Sequence, residues 1–158
     1  MEVTLRKAEE RDVPRMLALV KELATFEKEP EAVTVTEAEM LDAGFGEGKV
    51  WFGWVAEHEG SIIGMAVCYT RYSTWRGRTV YLEDIIVTDT ARGQKVGERL
   101  FRECVKYAAG NDYNWMRWQV LDWNVDAIRF YKRFGASISP GWLNGELSKE
   151  QLKNLAAQ

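Results

Sequence analysis

The sequence predicts an α/β protein built on one mixed, mostly antiparallel sheet flanked by helices. Three runs rich in β-branched and aromatic residues follow one another at 50–58 (VWFGWVAEH), 61–72 (SIIGMAVCYTRY) and 79–89 (TVYLEDIIVTD), separated by Glu-Gly and Arg-Gly turn signals. Around them lie segments whose apolar residues recur at helical spacing. The stretch 79–121 reads strand, helix, strand, and a right-handed crossover makes its two strands parallel neighbours.

The elements follow in order. Val3 to Ala8 has strand character, and Asp12 ahead of Val13-Pro14 reads as a helix N-cap with proline in the first turn. Met16, Leu17, Val20 and Leu23 give that helix its apolar stripe. Thr36 with Glu39 has the form of a capping box for a short helix through Met40 and Leu41, ending near Gly44. The three strands above then form an antiparallel meander. ARGQKVGERL leads into a helix whose face is Val96, Leu100, Cys104, Val105 and Ala108, stopping at Gly110. A further core strand covers Trp115 to Leu121. A helix runs from a cap at Asn124 to Gly135 through Val125, Ile128, Tyr131 and Phe134. Residues 136–146 are expected to form a last short strand, and Ser148 with Gln151 to cap a C-terminal helix.

The 158 residues fit a single domain spanning 1–158. A net charge of -3 with interleaved signs offers no broad basic surface for nucleic acid. Cys68 and Cys104 have neither metal-ligand spacing nor the density of a disulfide scaffold, so both are expected to be reduced and structural, with no metal centre. The N-terminus lacks the apolar core of a signal peptide and no run of about 18 apolar residues occurs, so a cytoplasmic protein without membrane contact is expected. His58, beside Glu59-Gly60, reads as exposed.

The chemistry begins with the basic turn. A helix N-terminus presents unpaired N–H groups and partial positive charge, and at the carboxyl end of a strand in an α/β sheet it is a natural anion site, to which Arg92 and Lys95 would add charge. The same residues also suit a plain helix start with solvated cations. In a regular strand Glu83 and Asp84 point to opposite faces, so they reach one cleft only if the strand is bulged. Otherwise they are a solvated pair on an edge strand. Asn124 and Tyr131 are seven apart, two turns along one helix face, about 10 Å. Taken alone, such a pair is equally a cap asparagine and a tyrosine at the edge of the core.

Arg92-Gly93-Gln94-Lys95-Val96-Gly97, preceded by YLEDIIV and followed by VLDWNVDAIRFYKRFGA, resembles the acetyl-CoA signature of the GNAT family of N-acetyltransferases. VKELATFEKE at 20–29, GFGE at 44–47, YSTWRGRTVYLED at 72–84, DWN at 122–124, FYKRFGA at 130–136 and GW at 141–142 resemble, in order, its diamine acetyltransferase branch. YSTW and VLDWN resemble the members that acetylate thialysine more than those that acetylate spermidine and spermine. Lys95 departs from the pattern, standing where the family has its first glycine.

The resemblance implies the GNAT fold, with about six to seven strands and a central parallel pair splayed at the cofactor cleft. It implies acetyl-CoA as cofactor and a primary amine on a small molecule as acceptor. Glu83 would act as general base, directly or through a water, and Tyr131 as the acid that protonates the leaving thiolate. Cofactor contacts would come from Ile85, Ile86 and Val87 on a bulged strand, from Arg92, Gly93, Gln94, Lys95, Val96 and Gly97 in the turn, and from Asn124, Ala127 and Tyr131. Glu83, Asp84, Trp75 and Trp142 would meet the amine. Members of the branch form homodimers, and one is expected here. Ser73 and the shortened ISPGW replace two acidic positions of the polyamine enzymes, which favours a lysine analogue over a long polycation. A protein lysine acetyltransferase and a non-catalytic acetyl-CoA-binding regulator are the alternatives; retention of Glu83 and Tyr131 speaks against the second.

Overall fold

The computed structural model describes residues 1–158, which divide into two compact units, Met1–Gln119 and Val120–Gln158. The first holds a five-stranded sheet in the spatial order β1-β2-β3-β4-β5: β1 (Thr4–Lys7), β2 (Phe52–His58), β3 (Ser61–Ser73), β4 (Gly77–Val87) and β5 (Trp115–Arg117). The first four strands pair antiparallel, and β4 pairs parallel with β5. Between β4 and β5 the chain crosses over through α3 (Val96–Gly110), as the strand–helix–strand pattern requires.

β3 is buried over Gly64–Cys68 without alternation because helices cover both of its faces. On one face α1 (Val13–Phe26) and α2 (Glu37–Phe45) pack Val13, Met16, Leu17, Leu19 and Met40 against Val55, Met65, Val67 and Ile86. On the other, α3 buries Val96, Leu100, Phe101, Cys104 and Ala108. Cys104 meets Cys68 of β3 there with their sulfurs 3.6 Å apart, both free and buried, and the hydrogen bond between them, with burial, pushes the Cys68 thiol far up. Val105 is 43% exposed, so the face read from the sequence is one residue narrower than expected.

Several sequence expectations are corrected. Asp12 stands at the N-cap position of α1 with proline in the first turn, as expected, but its side chain makes no cap hydrogen bond to that helix; its carboxylate is buried and accepts hydrogen bonds from Arg6 at 2.7 and 2.9 Å and from the Glu9 N–H. Burial alone would raise the Asp12 pKa, but these donors hold it below the ordinary value. The capping boxes at Thr36/Glu39 and Ser148/Gln151 form as expected. The sheet has five strands, not six or seven. Residues 136–146 form no strand: Pro140 lacks a ladder donor, and Gly141 turns the chain with φ at 123°. β5 stops at Arg117 instead of Leu121, because its pairing with β4 ends at Tyr81, two residues before β4 bulges.

The second unit carries α4 (Val125–Lys132) and α5 (Lys149–Ala156). Asn124 caps α4, its side-chain oxygen accepting from the Ala127 N–H at 3.2 Å, and Gly135 follows the helix with φ at 79°.

Candidate functional site

The β3–β4 hairpin is symmetric about Trp75, pairing Ser73 with Gly77, Arg71 with Thr79, Tyr69 with Tyr81 and Cys68 with Leu82. The next pair is Val67 with Asp84, so Glu83 is the extra residue of a β-bulge. Directly paired residues share a face, which places Asp84 with Val67, Tyr69 and Tyr81. Glu83, two residues beyond Tyr81, joins them. The bulge thus brings to one face two carboxylates that a regular strand would send to opposite sides.

This face is strongly negative at one point. Asp84 is half-buried, and its burial together with the charges of Glu83 and Glu27 pushes its pKa up to about 6. Glu27, at the end of α1, is itself raised by burial. Glu83 is exposed. Beside the carboxylates lie the Tyr69 and Tyr81 rings, centroids 5.1 Å apart. Burial raises both hydroxyls and the Glu83 charge adds to it, while Arg71 opposes the rise from a position 5.4 Å over the Tyr81 ring centroid. Carboxylates next to aromatic faces make a surface suited to an organic ammonium.

Past Tyr81, no strand pairs with the outer edge of β4. The Thr88 N–H donates to Ile63 O on the β3 side, so by strand alternation the N–H groups of Ile85 and Val87 point to the unpaired edge. The chain then enters a one-turn 3-10 helix, Asp89–Ala91, and the basic turn. Gly93 has φ at 78° and open space where a Cβ would stand. Lys95, the residue ahead of α3, adopts φ 61° and ψ 13°, a left-handed conformation that glycine takes without strain. The first intrahelical donor is Arg99, bonding to Lys95 O, which leaves the N–H groups of Val96, Gly97 and Glu98 without helical partners. Arg92 is tied to Asp89 at 2.8 Å, and Lys95 makes no ion pair. Backbone donors, small residues and two cations are a donor set that fits a pyrophosphate.

In the second unit Tyr131 is buried and its ring meets Phe130 edge-on at 5.2 Å. Asn124 and Tyr131 lie on one face of α4, and Ala127 lies between them in sequence. Trp75 and Trp142 are 86% and 90% exposed. Trp75 sits at the hairpin tip, and the stretch of β4 from Gly77 to Glu83, about 20 Å of strand, separates it from the carboxylates within its own chain.

Sequence reasoning missed Glu27, Tyr69, Tyr81 and Arg71 as neighbours of the carboxylates. A hairpin centred on Trp75 would have paired the tyrosines. Nothing in the sequence signals that the last turn of α1 reaches β4.

The pattern that defines the acetyltransferase (GNAT) family matches residues 13–136. The chain belongs to the GNAT family. It is therefore an acyltransferase, specifically an acetyltransferase, with the open mixed sheet of that family. It is 36% identical to the thialysine N-epsilon-acetyltransferase of Mus musculus, over 98% of this chain and 97% of that protein. It is 32% identical to the spermidine/spermine N(1)-acetyltransferase-like protein 1 of Homo sapiens, over 96% of this chain but 23% of that protein. Among solved structures it is similar in fold to an integron cassette protein of V. cholerae, with a TM-score of 0.79, 19% identity and coverage of 100% and 99% of the two chains. It is likewise similar to an aminoglycoside N-acetyltransferase in complex with CoA, with a TM-score of 0.74, 16% identity and coverage of 92% and 95%.

Proposed function

We propose that this GNAT enzyme transfers the acetyl group of acetyl-CoA to a primary amine of a small molecule, a lysine analogue such as thialysine or a diamine. The observation that carries this reading is the bulge at Glu83, which sets two carboxylates and two tyrosine rings on one face beside the unpaired edge of β4. Near-full-length similarity to a thialysine N-epsilon-acetyltransferase supports the acceptor class.

The acceptor arrives as an ammonium, which has no lone pair to attack with. Asp84 and Glu83 hold it by charge, and Glu83, being exposed, takes its proton directly or through a water. When bound, acetyl-CoA would supply the acetyl group as a thioester, an acyl carbon open to addition of the amine with coenzyme A thiolate as the leaving group. The Ile85 and Val87 N–H groups point to the unpaired edge and would stabilise developing negative charge on the acetyl oxygen. Arg92, Gly93, Gln94, Lys95, Val96 and Gly97 hold the pyrophosphate, and Asn124 and Ala127 the pantetheine arm. Tyr131 would give its proton to the departing thiolate; the nitrogen sheds a second proton as the amide forms, so of the two protons lost by the ammonium one in effect replaces that of Tyr131 and one is released to solvent.

Tyr131→Phe is expected to lower turnover about 100-fold with little change in cofactor affinity, read by thiol release and by equilibrium binding; unchanged turnover removes the acid role. Glu83→Gln is expected to lose a similar factor, partly recovered at high pH where more amine is unprotonated. A loss that high pH leaves untouched counts against deprotonation by Glu83.

A further inference from the structure

We propose that Arg71 recognises the α-carboxylate of the acceptor, so that the enzyme selects an amino acid acetylated on its terminal side-chain amine over a diamine of the same length. This rests on the acetyltransferase reading of the same face and specifies what lies at the acceptor's other end.

The register makes the face directional. On β3 it presents Val67, Tyr69 and Arg71, and on β4 Asp84 with Glu83, then Tyr81, then Thr79. The order along the hairpin is therefore carboxylates, tyrosine pair, guanidinium. Four residues of strand separate Val67 from Arg71, about 13 Å. The Arg71 side chain closes part of that distance by lying over Tyr81, 5.4 Å from the ring centroid, which is two residues or about 7 Å of strand from Glu83. An extended lysine-type side chain spans about 7 to 8 Å from terminal nitrogen to carboxylate carbon by ordinary bond lengths, and with a charge contact of about 3 to 4 Å at each end it needs about 14 Å between guanidinium and carboxylate, which the ~13 Å of strand supplies when Arg71 swings off Tyr81 toward the hairpin tip.

Charge agrees with spacing. Arg71 is exposed and makes no ion pair within the chain, a property it shares with Arg76, Arg78, Arg117 and Arg133, but among these five only Arg71 lies over the Tyr81 ring beside the carboxylates. Its planar fork is thus available for bidentate pairing with a carboxylate, and the tyrosine face beneath restricts where it swings. A polycation would meet like charge at this point. A lysine-type acceptor meets opposite charge at both ends.

The test measures steady-state kinetics with lysine, thialysine and 1,5-diaminopentane for the unaltered enzyme, Arg71→Gln and Arg71→Lys. For Arg71→Gln, KM for the two amino acids is expected to rise about 10- to 100-fold, from loss of one charge-assisted pair, with kcat little changed. KM for the diamine should stay the same or fall. Arg71→Lys should recover part of the loss. Equal effects on amino acid and diamine, or a native enzyme that prefers the diamine, would overturn the role of Arg71 while leaving the acetyltransferase reading in place. Failure of the native enzyme to acetylate any of the three would overturn both. An unchanged melting temperature for Arg71→Gln separates recognition from folding.

Discussion

At the residue scale, Asp84 carries a cost that its position explains. Its carboxyl is raised from 3.8 to about 6 in the folded chain by burial and by Glu83 and Glu27. A raised acid binds its proton more tightly in the native than in the unfolded state. Its favourable contribution is therefore full below its unfolded pKa, and is lost as pH rises through the folded value near 6. Asp84→Asn should stabilise the protein by up to ~3 kcal/mol at pH 8 and by little at pH 3.5. Denaturant melts at the two pH values check this, and equal gains would mean that burial does not act through charge. The same variant should bind the amine less well, the usual exchange of stability for function. Lys95 carries a backbone cost, its left-handed φ being shared among non-glycine residues with Lys28, Glu59 and Asp112. Lys95→Gly is expected to raise stability by up to ~1 kcal/mol, since glycine tolerates its left-handed backbone, and to leave acetyl-CoA affinity near normal or slightly weaker. A large gain in affinity, measured by calorimetry, would show the side chain to be an obstruction.

At the element scale, α3 links the core to the basic turn at its N-terminus. Leu100 is fully buried, its Cδ1 within 3.3 Å of the position a Cβ on Gly64 would occupy, whereas Val105 is 43% exposed on the same helix. Leu100→Ala should destabilise by about 2–5 kcal/mol, and Val105→Ala should stay within about 0.5 kcal/mol of the parent. Comparable losses at both positions would contradict the observed helix face. The bulge in β4 is an element-scale feature with a residue-scale result. One extra residue reverses the facing of everything beyond it, so Asp84 joins Tyr81 although the two are an odd number of residues apart.

At the scale of the whole molecule, acetyl-CoA is expected to raise the melting temperature through binding to the native state, by up to about 2.7 kcal/mol of stability at a concentration 100 times Kd. No shift at millimolar cofactor would remove the cofactor from the reading. We expect a homodimer in solution, and the exposed Trp75, Tyr72 and Trp115 of the first unit are apolar surface available to an interface. A monomer mass by light scattering would rule that out. No helix is long and apolar enough to cross a membrane.

Local patterns determined much of this protein before any coordinates. Capping boxes, β-branched runs and the β4–α3–β5 alternation placed most elements to within a few residues, because caps, turns and periodicity are properties of neighbouring residues. The motif between YLEDIIV and FYKRFGA pointed to acetyl transfer, and the demand that Glu83 and Asp84 share a face pointed to a bulge. Only the tertiary structure decided that the Asp12 carboxylate pairs with Arg6 and not with the first turn of α1, that the sheet ends at five strands, and that Glu27, Tyr69, Tyr81 and Arg71 surround the carboxylates. These depend on register and on which helix end meets which strand. Such contacts join residues far apart in the chain, and no short window of sequence contains both partners.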